Sequence, residues 1–259
     1  VAQEAAPHVS PLWGESGEAW TPDGRLTDFS YAGYRRGEFP LPDRKPMLSV
    51  KEFGAVGDGK IDDTEAFKRA IRAGAGKVIA VPPGRYVITD ILEIAASGTV
   101  LQGYGPAETV LYAPLPLEKI RPNMGNTTSG RPTSNYSWSG GIIWARGALD
   151  ETVLATVTES AKRGETALRV DRPERFAAGD EVRLSMRDDR KSSLVYHLYA
   201  DDPGNFDNLR GVGESWNARV VKVDRDAKRV HFDRALRTDV RPEWDPELHP
   251  AKSTVEEVG

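Results

Sequence analysis

Cysteine is absent from the 259 residues, which excludes a disulfide framework, a thiol nucleophile and a thiolate metal site. Histidine is scarce, at four, and no HExxH pair or histidine cluster appears, so no built-in transition-metal site or cofactor is expected; calcium held by loose carboxylates stays open. No apolar run approaches the roughly 20 residues of a membrane-spanning helix, and the mean hydropathy is -0.50, so no membrane partner is expected. Positive charge is not in excess either. The 39 acids against 35 bases leave -4, which speaks against a nucleic-acid partner held by bulk charge. With 39% apolar and 29% charged residues, the chain can fill the core of one large domain, or of a domain carrying an insertion.

Residues 1–46 contain Pro7, Pro11, Pro22, Pro40, Pro42 and Pro46, with Trp13, Trp20, Phe29, Tyr31, Tyr34 and Phe39 among them. Proline at this density opposes regular structure, and aromatics at this density imply an extended arm laid against a body. The chain opens Val1-Ala2-Gln3-Glu4-Ala5-Ala6-Pro7. Small residues there fit a trimmed signal peptide, hence a secreted or periplasmic protein, and fit an arbitrary boundary equally well.

From residue 47 to 150 the pattern sharpens. A strand is expected over 48–53, then a glycine-rich turn, then Asp62-Asp63-Thr64 capping a helix whose Ala66, Phe67, Ala70 and Ile71 form one apolar stripe ended by Gly74 and Gly76. The turn 54–59 lacks the lysine and hydroxyl of a P-loop. Short strands follow at 77–81, 85–89 and 91–94. Val100-Leu101 then repeats Val78-Ile79, and Val110-Leu111 follows Ile88-Thr89, both at a spacing of 22. Such a period indicates coils that stack, with Val78, Val81, Val87, Ile91, Leu101 and Val110 expected inside and Phe67 and Ile71 plugging one end. A parallel βαβ sheet competes, but residues 77–113 leave no room for its crossover helix.

Three stretches carry a resemblance: Val50-Lys51-Glu52-Phe53-Gly54-Ala55-Val56-Gly57-Asp58-Gly59-Lys60-Ile61-Asp62-Asp63-Thr64-Glu65-Ala66-Phe67, Val81-Pro82-Pro83-Gly84-Arg85-Tyr86, and Leu101-Gln102-Gly103-Tyr104-Gly105. Together they resemble the opening of the pectate-lyase-like superfamily, which includes proteins related to family 28 glycoside hydrolases. The resemblance covers roughly residues 48–113. It implies an all-β fold, a right-handed parallel β-helix with an N-terminal capping helix, and leaves the activity open, because lyases, hydrolases, epimerases and phage tailspikes share this opening.

Residues 151–241 change character. Val153, Ala155 and Val157 alternate, as do Leu168 and Val170, Val182 and Leu184, and Val221 and Val223 with Val230 and Phe232. Turns are expected at 162–164, 178–180 and 224–226. This reads as antiparallel hairpins forming a small barrel or sandwich-like domain inserted between coils. After Pro242, Pro246 and Pro250, residues 242–259 read as a loop handing back to the β-helix at Ser253-Thr254-Val255, with the expectation that a second polypeptide continues the stack.

Two clusters could carry chemistry. The polar loop 121–141 ends in aromatics, and Arg131, Asn135, Tyr136 and Trp138 are candidate sugar-binding residues, joined by Trp216. The second cluster runs from Arg187 to Asp202, with a strand-like stretch 194–199. In it, Tyr196, His197 and Tyr199 with Arg190 and Asp189 are candidate catalytic residues, because β-elimination needs a base beside a uronate carboxylate and a cation for the resulting anion. A hydrolase would instead need two carboxylates, which Asp188, Asp189, Asp201 and Asp202 could supply. The excess of arginine over lysine, 24 to 11, suits bidentate carboxylate recognition and surface ion pairs alike. The expected function is therefore the N-terminal part of a polysaccharide lyase acting on an acidic glycan, with a glycoside hydrolase and a non-catalytic glycan-binding or adhesin β-helix as alternatives.

Overall fold

Short apolar runs punctuated by glycine and proline produce mostly β structure with few helices. The computed structural model describes residues 9–24, 26, 29, 32–122, 134, 140–204 and 212–259. Two units divide the chain: a stacked unit, Pro42–Leu149 with Ser253–Gly259, and an antiparallel unit, Val1–Leu41 with Asp150–Lys252.

In the stacked unit β1 (Leu48–Ser49), β2 (Asp58–Asp62), α1 (Thr64–Ala73), β3 (Val78–Ala80), β4 (Gly84–Val87), β5 (Leu92–Ile94), β6 (Val100–Gln102), β7 (Thr109–Tyr112), α2 (Leu117–Ile120) and β8 (Ile143–Ala145) follow in order. Every strand pair is parallel, and the strands form three sheets: β1-β3-β6, β2-β4-β7 and β5-β8. Val78 pairs with Val100 and Ile79 with Leu101, which is the expected return of 22. The second return differs: Arg85 pairs with Val110 and Tyr86 with Leu111, a spacing of 110 - 85 = 25. The difference lies in the turn, where six residues separate β6 from β7 but only three separate β3 from β4.

That shift of three residues puts Val110 beside Arg85 instead of Ile88, on the opposite face of the strand. Ile79, Val81, Tyr86, Ile88, Leu92 and Ile94 make the core with Leu101 and Leu111 packed on it. Val78, Val87 and Ile91 are buried outside this cluster, and Val110 is only half-buried, so four of the six expected interior positions are out of phase. α1 behaves as its stripe dictates. Phe67 is fully buried and meets the Tyr86 ring edge-on at 5.3 Å.

The three aspartates ahead of α1 are structural. Asp62 accepts from Thr64 N at 2.9 Å and from Thr89 Oγ1 at 2.5 Å, and Asp58 accepts from the backbone of Lys60 and Ile61. Asp63, expected as a cap, instead accepts from Val56 N at 2.6 Å and Gly57 N at 3.1 Å, pinning the preceding turn. Gly57 has φ 68°, and a Cβ there would lie 2.7 Å from the Tyr86 ring, so this turn requires glycine. Residues 253–259 lie along β6: Gly98 N donates to Glu256 O at 2.9 Å and Leu101 N to Gly259 O at 2.8 Å.

The antiparallel unit comprises β9 (Ala155–Thr156), β10 (Ala167–Arg169), β11 (Glu181–Arg187), α3 (Ser193–Leu198), β12 (Gly213–Asp224), β13 (Arg229–Phe232) and β14 (Glu247–Pro250). Its strand order is β10-β13-β12-β11-β14-β9. Val157 beside β9 bridges Val170 beside β10, so the sheet curls back on itself. The core holds Leu168, Val182, Leu184, Trp216, Val220, Trp244 and Leu248. A bulge between Val220 and Lys222 breaks the alternation and leaves Val221 exposed. β14 lies between β11 and β9, where a loop is expected from the flanking prolines; Pro250 ends the strand.

Ion pairs tie the N-terminal arm to the sheet. Arg36 pairs with Asp233 and Glu181, and Glu38 with Arg219, while Trp13, Phe29 and Phe39 are exposed.

Truncating the plug should cost more than truncating the outward face. Phe67→Ala should destabilise the protein by about 3–5 kcal/mol, and Val110→Ala by no more than about 0.5 kcal/mol. Urea denaturation of the two variants checks the phase assignment: equal losses would reverse it.

Candidate functional site

The stretch 194–199, expected as a strand, is the helix α3. Its alternating pattern is overruled by the two aspartates before it. Asp189 accepts from Lys191 N, Ser193 N and Ser193 Oγ, each at 2.9 Å, and Asp188 accepts from Leu194 N at 3.0 Å. Three backbone N–H groups at and just before the helix start, and one hydroxyl, are satisfied this way. Leu194 and Val195 face the core with Leu198 packed beside them, while Tyr196 and Tyr199, three apart, are exposed. Ser192, Ala200 and Asp201 hold left-handed φ of 58°, 53° and 65°, an unfavourable conformation for residues with a Cβ that brackets the helix at both ends.

Asp189 is thus a helix-capping acid, with its carboxyl held below the ordinary range chiefly by the Ser193 N–H. Arg190 is exposed in the turn before the helix, and Tyr199 does not line either pocket described below. The structure does bring Tyr196 and His197 together. They line a pocket of about 470 Å³ with Lys191, Ser193, Asp201 and Arg241. The cation beside the histidine is therefore Arg241, 44 residues downstream and outside the cluster that the sequence marks.

Both ring nitrogens of His197 are engaged and one face of the ring is packed. Its ring leans on Trp244 with centroids 5.2 Å apart, and Arg241 lies over the same indole at 4.7 Å. Arg241 Nη2 donates to His197 Nδ1 at 3.4 Å. Arginine has no acceptor, so Nδ1 carries the lone pair and Nε2–H donates to Thr238 Oγ1 at 3.2 Å. Burial pushes the imidazole below its ordinary value; Asp239 opposes this, and Arg241 and Lys162 reinforce it. Asp239 is itself committed. Against the opposing push of burial, Lys162 Nζ at 2.8 Å and the Arg163 N–H keep its carboxyl low. A neutral imidazole beside cations and a phenol can take a proton next to a carboxylate.

On the Thr238 side His197 also borders a larger cleft of about 780 Å³. Trp216, expected as a sugar-binding residue, lies in its floor, but at 4% exposure and packed edge-on against Phe232 at 5.2 Å it is a core residue first. Arg131, Asn135, Tyr136 and Trp138 lie outside the described residues. Of the four carboxylates available to a hydrolase, Asp188 and Asp189 cap α3, Asp202 accepts from Gly204 N, and Asp201 alone lines the smaller pocket. Among the described residues no three His, Asp or Glu side chains gather around one point, and no helix is long and apolar enough to cross a membrane.

Comparison with known proteins bears on the segment that holds the parallel sheets and α1. Residues 47–121 match the family described as rhamnogalacturonase A/epimerase, pectate lyase-like. Plasmin and fibronectin-binding protein A of Streptococcus pneumoniae is 33% identical over 118 residues, covering 40% of this chain and 16% of that protein. Alginate lyase 7 of Azotobacter vinelandii is 34% identical over 101 residues, 35% of this chain and 12% of that protein. Among solved structures, the Gp54 tailspike of Acinetobacter baumannii bacteriophage AP22, in complex with capsular saccharide, aligns with 82% of this chain and 28% of its own at 14% identity and a TM-score of 0.49. The chain spans less than a fifth of the length of these two curated relatives. Its segment 47–121 carries the pectate-lyase-like superfamily signature.

The depressed His197 value has a consequence for stability. The folded form resists protonation more than the unfolded chain, whose ordinary value is 6.5. This contribution is therefore complete above that value and is lost as pH falls through it toward the lower folded value. Melting temperatures measured between about pH 5 and 7.5 should fall with acidity in the wild type and fall less steeply in His197→Gln; parallel curves would refute the assignment.

Proposed function

We propose that this chain is the N-terminal portion of a secreted, carbohydrate-active right-handed β-helix protein, with the antiparallel unit inserted between coils, that cleaves an acidic, uronate-containing glycan by β-elimination. Support for the β-helix comes from the three parallel sheets, the return of 22 and the capping helix. Support for a glycan substrate comes from the family match and the alginate lyase relative. Tyr136 and Trp138 are candidate sugar contacts.

The observation that carries the chemistry is the gathering of a neutral His197 with Tyr196, Arg241 and Lys191 in one pocket. A uronate carboxylate entering it offers Arg241 a better acceptor than the imidazole at 3.4 Å. Arg241 then turns to the carboxylate and releases the Nδ1 lone pair. His197 takes the proton from C5, the cations hold the charge that develops on the carboxylate, the C4–C5 double bond forms as the C4–O4 bond breaks, and the Tyr196 hydroxyl delivers a proton to the leaving oxygen. Hydrolysis is the weaker reading, because Asp201 is the single one of the four candidate carboxylates that lines this pocket, and a hydrolase needs two.

Incubation with a panel of uronate and neutral polysaccharides, followed by ultraviolet absorbance of unsaturated uronate products, tests this. Wild-type protein should generate absorbance on a uronate polymer, and His197→Gln should lower the rate by about 100-fold or more. New reducing ends without absorbance would point to hydrolysis. An undiminished His197→Gln rate would remove the residue from the mechanism.

A further inference from the structure

Apart from His197, the larger cleft of the antiparallel unit is lined by groups that the elimination chemistry does not use. Its acids are Glu214, Asp233 and Asp239. Asp239 is bound by Lys162 and Arg241, and Asp233 by Arg36 and the Arg219 N–H. Its arginines are Arg163, Arg234 and Arg237; Arg234 lies 3.8 Å from Asp233, whereas Arg163 and Arg237 have no side-chain partner among the described residues, nor does Glu214. Thr238 Oγ1 accepts from His197, so its own hydrogen is free to donate. In the floor, the Trp216 Nε1–H is buried without an acceptor among the described residues. One wall is Trp20, half-buried and fixed by its Nε1–H donating to Leu26 O at 3.1 Å.

We propose that this cleft is a second sugar-binding site, taking a saccharide unit that bears an anionic substituent, a carboxylate or a sulfate ester. Arg163 and Arg237 hold the anion, Trp20 offers its ring to the apolar face of the sugar, and Thr238 and Glu214 meet hydroxyls. The volume of about 780 Å³ falls in the range of small-molecule sites and admits more than one sugar unit. His197 borders both pockets, with Nε2 toward Thr238 in one and Nδ1 toward Arg241 in the other. The inference builds on the glycan reading above but not on the elimination step.

Calorimetric titration of the full chain with three oligosaccharides of equal length, one uronate, one sulfated and one neutral, tests it. At least one anionic probe should bind roughly tenfold or more tightly than the neutral one, and the Arg163→Ala/Arg237→Ala double variant should lose roughly tenfold of that affinity. The tighter anionic probe identifies the substituent. Unchanged affinity in the double variant, with native circular dichroism, overturns the site. If Tyr196→Phe also abolishes unsaturated product in that case, the elimination reading survives alone. If the double variant weakens binding and no substrate ever yields unsaturated product, the site stands and the elimination reading falls. Equal binding of all three probes, or of none, overturns the second site.

Discussion

Strands of two to five residues bury too little to hold together alone, so the stacked unit depends on one constraint: each strand must meet its parallel neighbour in a register that keeps one face inward. The pairing of Ile79 with Leu101 and Tyr86 with Leu111 is that constraint in residues. It lines up Ile79, Val81, Tyr86, Ile88, Leu92 and Ile94 as one apolar column, and α1 closes the column by inserting Phe67 against Tyr86. The turn aspartate Asp63 ties in from outside. By accepting from Val56 and Gly57 it fixes the approach of β2 to β4, where Gly57 passes against the Tyr86 ring.

The antiparallel unit obeys the same logic with a different tether. α3 has only six residues, too few to persist by propensity, and it stands because its N-terminal end is held and Leu194 and Leu198 pack on the core. Asp188 and Asp189 occupy its N-terminal donors, and Trp244 from the core donates Nε1–H to Ser193 Oγ at 2.8 Å. The same indole stacks under His197 and Arg241. One core tryptophan thus sets the helix and the two groups whose chemistry matters, so the position of the imidazole is a consequence of packing.

What could be read from the chain follows from which signals are local. The helix stripe of Ala66, Phe67, Ala70 and Ile71 and the return from Val78 to Val100 are periodic, and both stand in the structure. The return to Val110 was misjudged because turn length is not written in the strands: six residues sit between β6 and β7, and apolar alternation says nothing about them. Alternation also misled at 194–199, where Leu194, Val195 and Leu198 fit a helical stripe as well, and the Asp188-Asp189 pair followed by Ser193 was the deciding cap signal. Of the candidate site, Tyr196 and His197 were legible as a cluster. Arg241 and Thr238 were not, since only tertiary folding brings them within 3.4 Å and 3.2 Å of the imidazole.

Charge decides what such a site can do, and the decisive property is whether each charge is already committed. Lys68 sits at 2.7 Å from Asp90, and Arg183 at 2.7 Å from Glu151; a ligand gains little from a cation whose partner it must first displace. Arg241 is different. It touches Asp239 only at 3.6 Å and His197 at 3.4 Å, and it rests on the Trp244 face at 4.7 Å. These contacts orient the guanidinium without saturating it, since five donors face one distant carboxylate and one weak acceptor. An incoming carboxylate can therefore exchange into this arrangement without breaking the cap of α3 or the core beneath it. Asp239, bound more closely by Lys162, stays where it is, so the exchange frees the imidazole while the rest of the site keeps its shape.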